Sequence, residues 1–262
     1  MAIHNTAIIP RTAEIDPTVE IGPYAVIGPR VRIAANTVVG SHAVIEGDTT
    51  IGKNNRIFQF AALGAIPQDL KYGGEPTRLE IGDGNQIREF ATIHIGTAGG
   101  GGVTRIGNGC LLMAYSHVAH DCQIGEGCIL ANCASLAGHV QVEPYVVIAG
   151  LSAVHQFTRI GQHAFIAGGA MVVMDIPPYC TAQGDRAQVT GLNTVGLKRH
   201  GYKEEQIARI KSSYKILFRS RLGLRDGLAR VKAEFGGNQE IDHLVGFIES
   251  SERGITRQRG DD

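Results

Sequence analysis

The sequence has no tryptophan and few aromatic residues, 7 Tyr and 8 Phe in 262 residues, so a core built on large rings is excluded. Neither charge is in excess: 25 Lys and Arg stand against 25 Asp and Glu, which argues against broad electrostatic binding to nucleic acid. No apolar run approaches the ~18 residues that read as a membrane span, so no stable membrane insertion is expected. The opening MAIHNTAIIPRT lacks the apolar stretch of a secretory signal. Cys110, Cys122, Cys128, Cys133 and Cys180 are odd in number and form no CxxC pair. Reduced thiols in a cytoplasmic protein are therefore expected. Glycine is abundant, at 35 residues, alongside small and β-branched residues that suit thin, closely stacked strands.

The dominant signal is a period of six. Aliphatic residues recur at Ile15, Ile21, Ile27, Ile33, Val39, Ile45, Ile51, Ile57 and Leu63, and again at Ile81, Ile87 and Ile93. A second series runs from Ile106 through Leu112, Val118, Ile124 and Leu130 to Val172. This period fits neither an isolated helix nor a hairpin. It fits a prism of short strands and tight corners, with the aliphatic residue pointing inward. Three hexads make a coil of about 18 residues, and equivalent positions stack about 4.8 Å apart on successive coils. Each coil buries its faces only against its neighbours, so stability comes from a long run.

Two interruptions read as loops, near residues 65–78 (AIPQDLKYGGEPTR) and 97–103 (TAGGGGV). The repeat is expected to stop at Asp175-Ile176-Pro177-Pro178, because proline cannot donate a ladder hydrogen bond. After a connecting segment, KEEQIARIKSSYKILFR has helical apolar spacing at Ile207, Ile210, Tyr214, Leu217 and Phe218. Further helices are expected near 224–235 and 240–252. The reading is thus a β prism over 1–190 and a helical domain over 191–262 that covers the open edge of the last coil.

The same stacking locates chemistry. His120 shares a column with Gly138 and Gln156, Asp121 with His139, and His117 with Ser135 and Ala153. His117, His120, Asp121, Gly138, His139, His155 and Gln156 therefore converge on one patch. Histidine near neutrality can take a proton from a hydroxyl. A neighbouring carboxylate can fix its tautomer, and a glycine permits close approach to a backbone N–H that stabilises an oxyanion. No Ser or Cys stands out as a nucleophile, and strand alternation turns Cys122 away from Asp121. Direct transfer with His as general base is preferred. Three histidines from adjacent coils could instead hold zinc, as in β-helical carbonic anhydrases, although His117-x-x-His120 is not the expected spacing.

The six-residue pattern resembles the hexapeptide-repeat family of left-handed parallel β-helices; the left hand comes from that resemblance. Specific strings narrow it: QDLKYGGEPTR, EFATIHIGT, HVAHDCQIG, LAGHV, AVHQF, DIPPY and GLNTVGLKR. Together they resemble the UDP-N-acetylglucosamine acyltransferase family over nearly the whole chain. The resemblance implies transfer of a 3-hydroxyacyl chain from acyl carrier protein to the 3-hydroxyl of UDP-N-acetylglucosamine, the first step of lipid A synthesis, with no cofactor. It implies His120 as general base, Asp121 orienting it and the Gly138 N–H holding the oxyanion. Gln68, Asp69, Lys71, His94, His117, His139, His155 and Gln156 would surround donor and sugar nucleotide. Asn193 and Arg199 would face the diphosphate, and Gly168 would floor the acyl chain, leaving room for a longer one. The family is trimeric, with sites between prisms. A flat prism face would gain a cleft from such a neighbour. Basic residues of the tail, Lys198, Arg199, Lys203, Arg219 and Arg221, are candidates for receiving the acidic carrier protein.

The sequence departs from the family at four places. Val195 stands where Glu is often found and His200 where Arg is common. Ile95 follows His94 where Arg is usual, and Arg186 replaces a His near the acyl end. These bear on nucleotide contacts and chain length. Some relatives prefer a 3-amino sugar nucleotide, and a later enzyme of the pathway acylates the amine of a UDP-glucosamine. That enzyme carries an added N-terminal uridine-binding domain, which hexads beginning by Ile15 leave no room for. A non-catalytic scaffold would give no reason for the His/Asp patch.

Overall fold

The computed structural model describes residues 2–256. They form a left-handed parallel β-helix capped by helices. Each coil crosses three faces in turn. Among the described residues the first face is an 11-stranded sheet, and the second and third have eight strands each. Where no loop intervenes the register steps by one coil, as in Glu20 opposite Val38 and His117 opposite Ser135. The 97–103 insertion is absorbed without breaking a column: Ile93 pairs directly with Val118.

The inward aliphatic residues are at most 2% exposed from Ile21, Ile27 and Ile33 through Ile45, Ile51 and Ile57. Each such burial stabilises by roughly 1.5–3 kcal/mol. Small residues just after the corners, including Ala25, Thr37, Ala43 and Ala91, are fully buried. The corners themselves require left-handed backbone. Non-glycine residues from Tyr24 to Tyr179 take φ between 55° and 68° there. Each costs roughly 1 kcal/mol or more, offset by ladder hydrogen bonds to the coils on either side. Along the edge between the first and second faces the corner residues form a ladder. Tyr24, His42, Phe60, Phe90 and Tyr115 stack at successive ring separations of 5.0, 5.1, 5.1 and 4.8 Å.

The two ends of the prism compare differently with expectation. The first coil begins at Ala2–Ile3, which pairs with Glu20–Ile21, so the coils are under way before Ile15. Ile3 and Ile9 carry the six-residue series back from Ile15 and pack against the core. At the other end Pro177-Pro178 does not close the sheets. Ile176 still bridges Ile160 on the third face. The prolines fall in the following turn, where no ladder donor is needed. The first face continues through Cys180–Gln183, which pairs in parallel with Phe165–Ile166 and antiparallel with Gln188–Leu192. The segment expected to be a plain connection is therefore a hairpin.

Among the described residues four α-helices follow: α1 (Thr194–Arg199), α2 (Glu204–Phe218), α3 (Leu224–Phe235) and α4 (Gln239–Glu249). Ile207, Ile210, Leu217, Leu228, Val231, Ile241 and Leu244 form a second core, while Tyr214 of α2 joins the core of the prism. Residues 257–262 of the expected helical domain lie outside the described residues. Among the described residues no helix is long and apolar enough to cross a membrane.

Candidate active site

The edge between the second and third faces carries residues 119–122, 137–140 and 155–158 on successive coils. Pairing of Val118 with Leu136 and of Leu136 with Val154 sets the register. His120 thus lies level with Gly138 and Asp121 with His139. Asp121 and His139 take φ of 61° and 63°, the turn that passes the chain between faces.

Asp121 is only 4% exposed. Its Oδ1 accepts the Thr97 N–H at 2.8 Å, and Oδ2 accepts the Thr97 hydroxyl at 2.7 Å. The Asp121 N–H donates to Thr104 Oγ1 at 2.8 Å. His120 Nδ1 lies 2.8 Å from Asp121 Oδ2. An ionised carboxylate only accepts, so His120 carries its proton on Nδ1 and leaves the Nε2 lone pair free. A Cβ placed on Gly138 would stand 2.6 Å from that Nε2. Only glycine admits the imidazole at this distance. The Gly138 N–H has no hydrogen-bond acceptor among the described residues.

The glycine run of the second loop has a steric purpose. A Cβ on Gly100 would lie 2.0 Å from Asp121 Cγ, and one on Gly96 2.8 Å from Oδ1. The loop closes over the carboxylate and delivers Thr97 to it. Glu75 of the first loop accepts the Ala98 N–H at 3.1 Å, tying the two loops together.

The remaining histidines surround this pair. The His139 ring lies perpendicular to His120 at 5.0 Å and stacks on Phe157 at 4.4 Å. Its Nδ1 is 3.8 Å from Asp121 Oδ2. Burial lowers its pKa, and the Asp121 charge only partly opposes this. His117 Nδ1 bonds Thr92 Oγ1 at 2.7 Å, and its ring meets His94 edge-on at 5.0 Å. Burial lowers the pKa of both, with neighbouring histidines adding to the effect; His94 falls to about 4. His155 and Gln156 are exposed on the next coil. In the first loop Gln68 and Lys71 are exposed. Asp69 accepts the Lys71 N–H at 3.0 Å and acts electrostatically on His139. A groove of about 1000 Å³ opens beside the edge, lined in part by Asp121, His139, Phe157, Arg159 and Arg253.

Three of the residues singled out from the sequence lie elsewhere in the chain. Gly168 is exposed at the edge between the first and second faces. Asn193 caps α1, accepting from the Gly196 N–H at 3.0 Å, and donates to the His163 carbonyl at 2.9 Å. That places it at the edge between the third and first faces, and Arg199 closes the last turn of the same helix. His200 packs 4.9 Å from the rings of both Tyr145 and His163. Of the other departures, Val195 and Arg186 are exposed and Ile95 is buried. Conversely, Thr97, Thr104, Glu75 and Arg253 join the site without having been singled out. The glycine run marked a loop, but no spacing rule places its threonine on Asp121.

His120, Asp121 and His139 offer ligand atoms within 4.8 Å of one another, a trio that could hold a metal ion. It is not the trio of histidines from adjacent coils weighed above. Both Asp121 oxygens already accept from Thr97, so a metal would compete with bonds that are made.

Known proteins share this fold. A family model described as bacterial transferase hexapeptide (six repeats) matches residues 12–47 and 104–138, and one described as Udp N-acetylglucosamine O-acyltransferase, domain 2, matches 175–256. An acyl-[acyl-carrier-protein]–UDP-N-acetylglucosamine O-acyltransferase of Myxococcus xanthus is 62% identical over 80% of this chain and 82% of its own. One from an Anaeromyxobacter species is 56% identical over 98% of this chain and 100% of its own. The UDP-N-acetylglucosamine acyltransferase structure of Francisella novicida superposes with TM-score 0.96 at 42% identity, covering 98% of this chain and 95% of that one. A hexapeptide β-helix with a His–Asp pair on its edge defines the class: an acyltransferase of the hexapeptide-repeat type. Within that class, the chain belongs to the acyl-[acyl-carrier-protein]–UDP-N-acetylglucosamine O-acyltransferase family.

Proposed function

We propose that this chain transfers an (R)-3-hydroxyacyl group from acyl carrier protein to the 3-hydroxyl of UDP-N-acetylglucosamine, with His120 as general base. The observation that carries the reading is the His120 imidazole, bonded through Nδ1 to buried Asp121 and presenting Nε2 beside the Gly138 backbone. Nε2 takes the proton of the sugar hydroxyl as its oxygen attacks the thioester carbonyl. The new C–O bond forms and the carbonyl oxygen becomes an oxyanion, which the Gly138 N–H stabilises. Collapse breaks the C–S bond, and the proton held by His120 passes to the leaving sulfur, giving the carrier thiol. Asp121 keeps the tautomer and stabilises the transient imidazolium. A covalent acyl-cysteine is disfavoured. The Cys122 thiol donates to the Ala137 carbonyl at 3.1 Å, and burial pushes its pKa up to about 12.

In this reading His94, His117, His139, His155 and Gln156 bind the substrates together with Gln68, Asp69 and Lys71. Asn193 and Arg199 lie on a different edge, so they serve a site completed by a neighbouring subunit, and the enzyme works as a homotrimer in the cytoplasm. The aromatic ladder supports such packing: Tyr24 and Tyr115 are each 58% exposed in the single chain, an apolar stripe that a neighbour would cover. Gly168, on that same edge, would lie along the acyl chain.

The test is to incubate the purified protein with UDP-N-acetylglucosamine and a series of 3-hydroxyacyl carrier proteins, and to identify products by mass spectrometry. An acylated sugar nucleotide is expected, and His120→Ala should lower turnover by about 10²–10⁴-fold with the fold intact. Wild-type-like turnover in that variant would overturn the general-base assignment. Product from the 3-amino analogue alone would replace the hydroxyl acceptor with an amine.

A further inference from the structure

After α4 the chain reverses and runs back along the prism as a strap. Ile255 bridges Asp175 in parallel. Asp175 N–H donates to the Gly254 carbonyl, and Thr256 N–H donates to the Asp175 carbonyl, both at 3.0 Å. The Ser251 hydroxyl bonds Asp175 Oδ2 at 2.7 Å, and the Thr256 hydroxyl bonds the Ala187 carbonyl at 2.7 Å. Asp175, Ile255 and Thr256 are buried. These bonds fix the strap and set Arg253 at the wall of the groove that Asp121 and His139 also line. There Arg253 Nε donates to the Val173 carbonyl at 2.7 Å, and Nη2 lies 2.8 Å from His155 Nδ1.

We propose that Arg253 is a positioning residue of the candidate active site, holding His155 as the Nε2–H tautomer so that it donates a hydrogen bond to an acceptor oxygen of a bound substrate. The inference rests on the reading that His155 is among the residues that bind the substrates. Its chemistry is that of the donor. A guanidinium cannot give up its proton and has no acceptor, so a ring nitrogen at 2.8 Å from it must accept. Nδ1 then carries the lone pair and Nε2 the hydrogen, on the far side of an exposed ring. The Gln156 carbonyl also lies 3.1 Å from His155 Nδ1. That contact would be favourable only with a proton on Nδ1, which would set His155 against Arg253. The shorter approach and the fixed donor decide for the Nε2–H form. Bridging a backbone carbonyl and the imidazole with one planar group suits arginine and not lysine, whose ammonium is a point charge. His120 and His155 thus present opposite functions at Nε2: His120 a lone pair, His155 an N–H. The first removes a proton; the second can only hold an oxygen in place.

The experiment compares wild type, Arg253→Met and Arg253→Lys by long-range ¹H–¹⁵N spectra of ¹⁵N-histidine-labelled protein, with His155→Gln used to assign the signal. Steady-state kinetics follow on the same samples, and circular dichroism confirms the fold. At a pH where imidazoles are neutral, wild-type His155 should show the Nε2–H pattern. Arg253→Met should lose that preference and raise KM for one substrate ~10-fold, the loss of one hydrogen bond, with kcat little changed. Arg253→Lys should restore the tautomer in part and KM with it. A wild-type Nδ1–H tautomer, or an unaltered tautomer and KM in Arg253→Met, overturns the assignment. An inactive wild type showing the Nε2–H form would instead overturn the functional reading and leave the Arg253–His155 pairing standing.

Discussion

Thr97 donates to Asp121 twice, through its N–H to Oδ1 at 2.8 Å and its hydroxyl to Oδ2 at 2.7 Å. The carboxylate that orients the candidate base is therefore itself oriented, by a loop that leaves the prism and returns. Without those donors the carboxylate would be free to turn, and His120 would lose the fixed acceptor that holds its Nδ1–H.

Thr97→Val keeps the shape and the N–H but removes the hydroxyl. A hydrogen bond to a charged group is worth about 1.5–3 kcal/mol, so kcat should fall by roughly tenfold with only a modest loss of melting temperature. Steady-state kinetics and thermal melts on the same preparation check this. Full activity would show that the N–H alone suffices.

Gly138→Ala should disable the enzyme without unfolding it. The added methyl would stand 2.5 Å from His120 Cε1 and 2.6 Å from Nε2, so the ring must swing away from Asp121. Gly138 has no left-handed φ to protect, so the backbone accepts alanine. Turnover should drop by about 10²-fold or more while circular dichroism stays unchanged. A crystal structure with His120 still 2.8 Å from Asp121 would sink the argument.

Burial lowers His94 and His163 from the usual 6.5 to about 4. Between those values the unfolded chain binds protons that the folded chain refuses, so stability rises with pH through that window. As pH falls from about 6.5 to about 4 the protein should lose stability, up to about 3 kcal/mol per histidine, with no further loss from these groups below. Urea midpoints at a series of pH values measure this. His163→Phe should flatten part of the slope. The aromatic ring can still stack on Tyr145, and the left-handed corner accepts phenylalanine at Phe60 and Phe90.

Chelation should leave turnover unchanged, because His120 and Asp121 act through the hydrogen bonds they already make. Added Zn²⁺ should inhibit by capturing His120, Asp121 and His139, whose ligand atoms lie within 4.8 Å. Stoichiometric zinc in the purified protein together with activity lost to chelator would reverse the assignment and favour metal-assisted chemistry.

The columns were legible because a fixed period maps position onto space. Ser135 opposite His117 and Leu136 opposite Val118 follow from counting. The same count reaches the first coil, because Ile3 and Ile9 precede Ile15 at steps of six. The hairpin Cys180–Gln183 with Gln188–Leu192 was hidden by the two prolines before it, which read as an end and are only a turn.

By itself, the sequence determined the prism, its pitch and the meeting of His120, Asp121, Gly138 and His139 on one edge. Stacking of equal coils converts a linear spacing into a distance. Only the tertiary structure decided that Thr97 caps Asp121, that Arg253 reaches His155, and that Asn193 and Arg199 lie on another edge. Loops, strap and helices carry no such period. Their positions follow from contacts between residues far apart in the chain, and these are fixed only when the whole chain has packed.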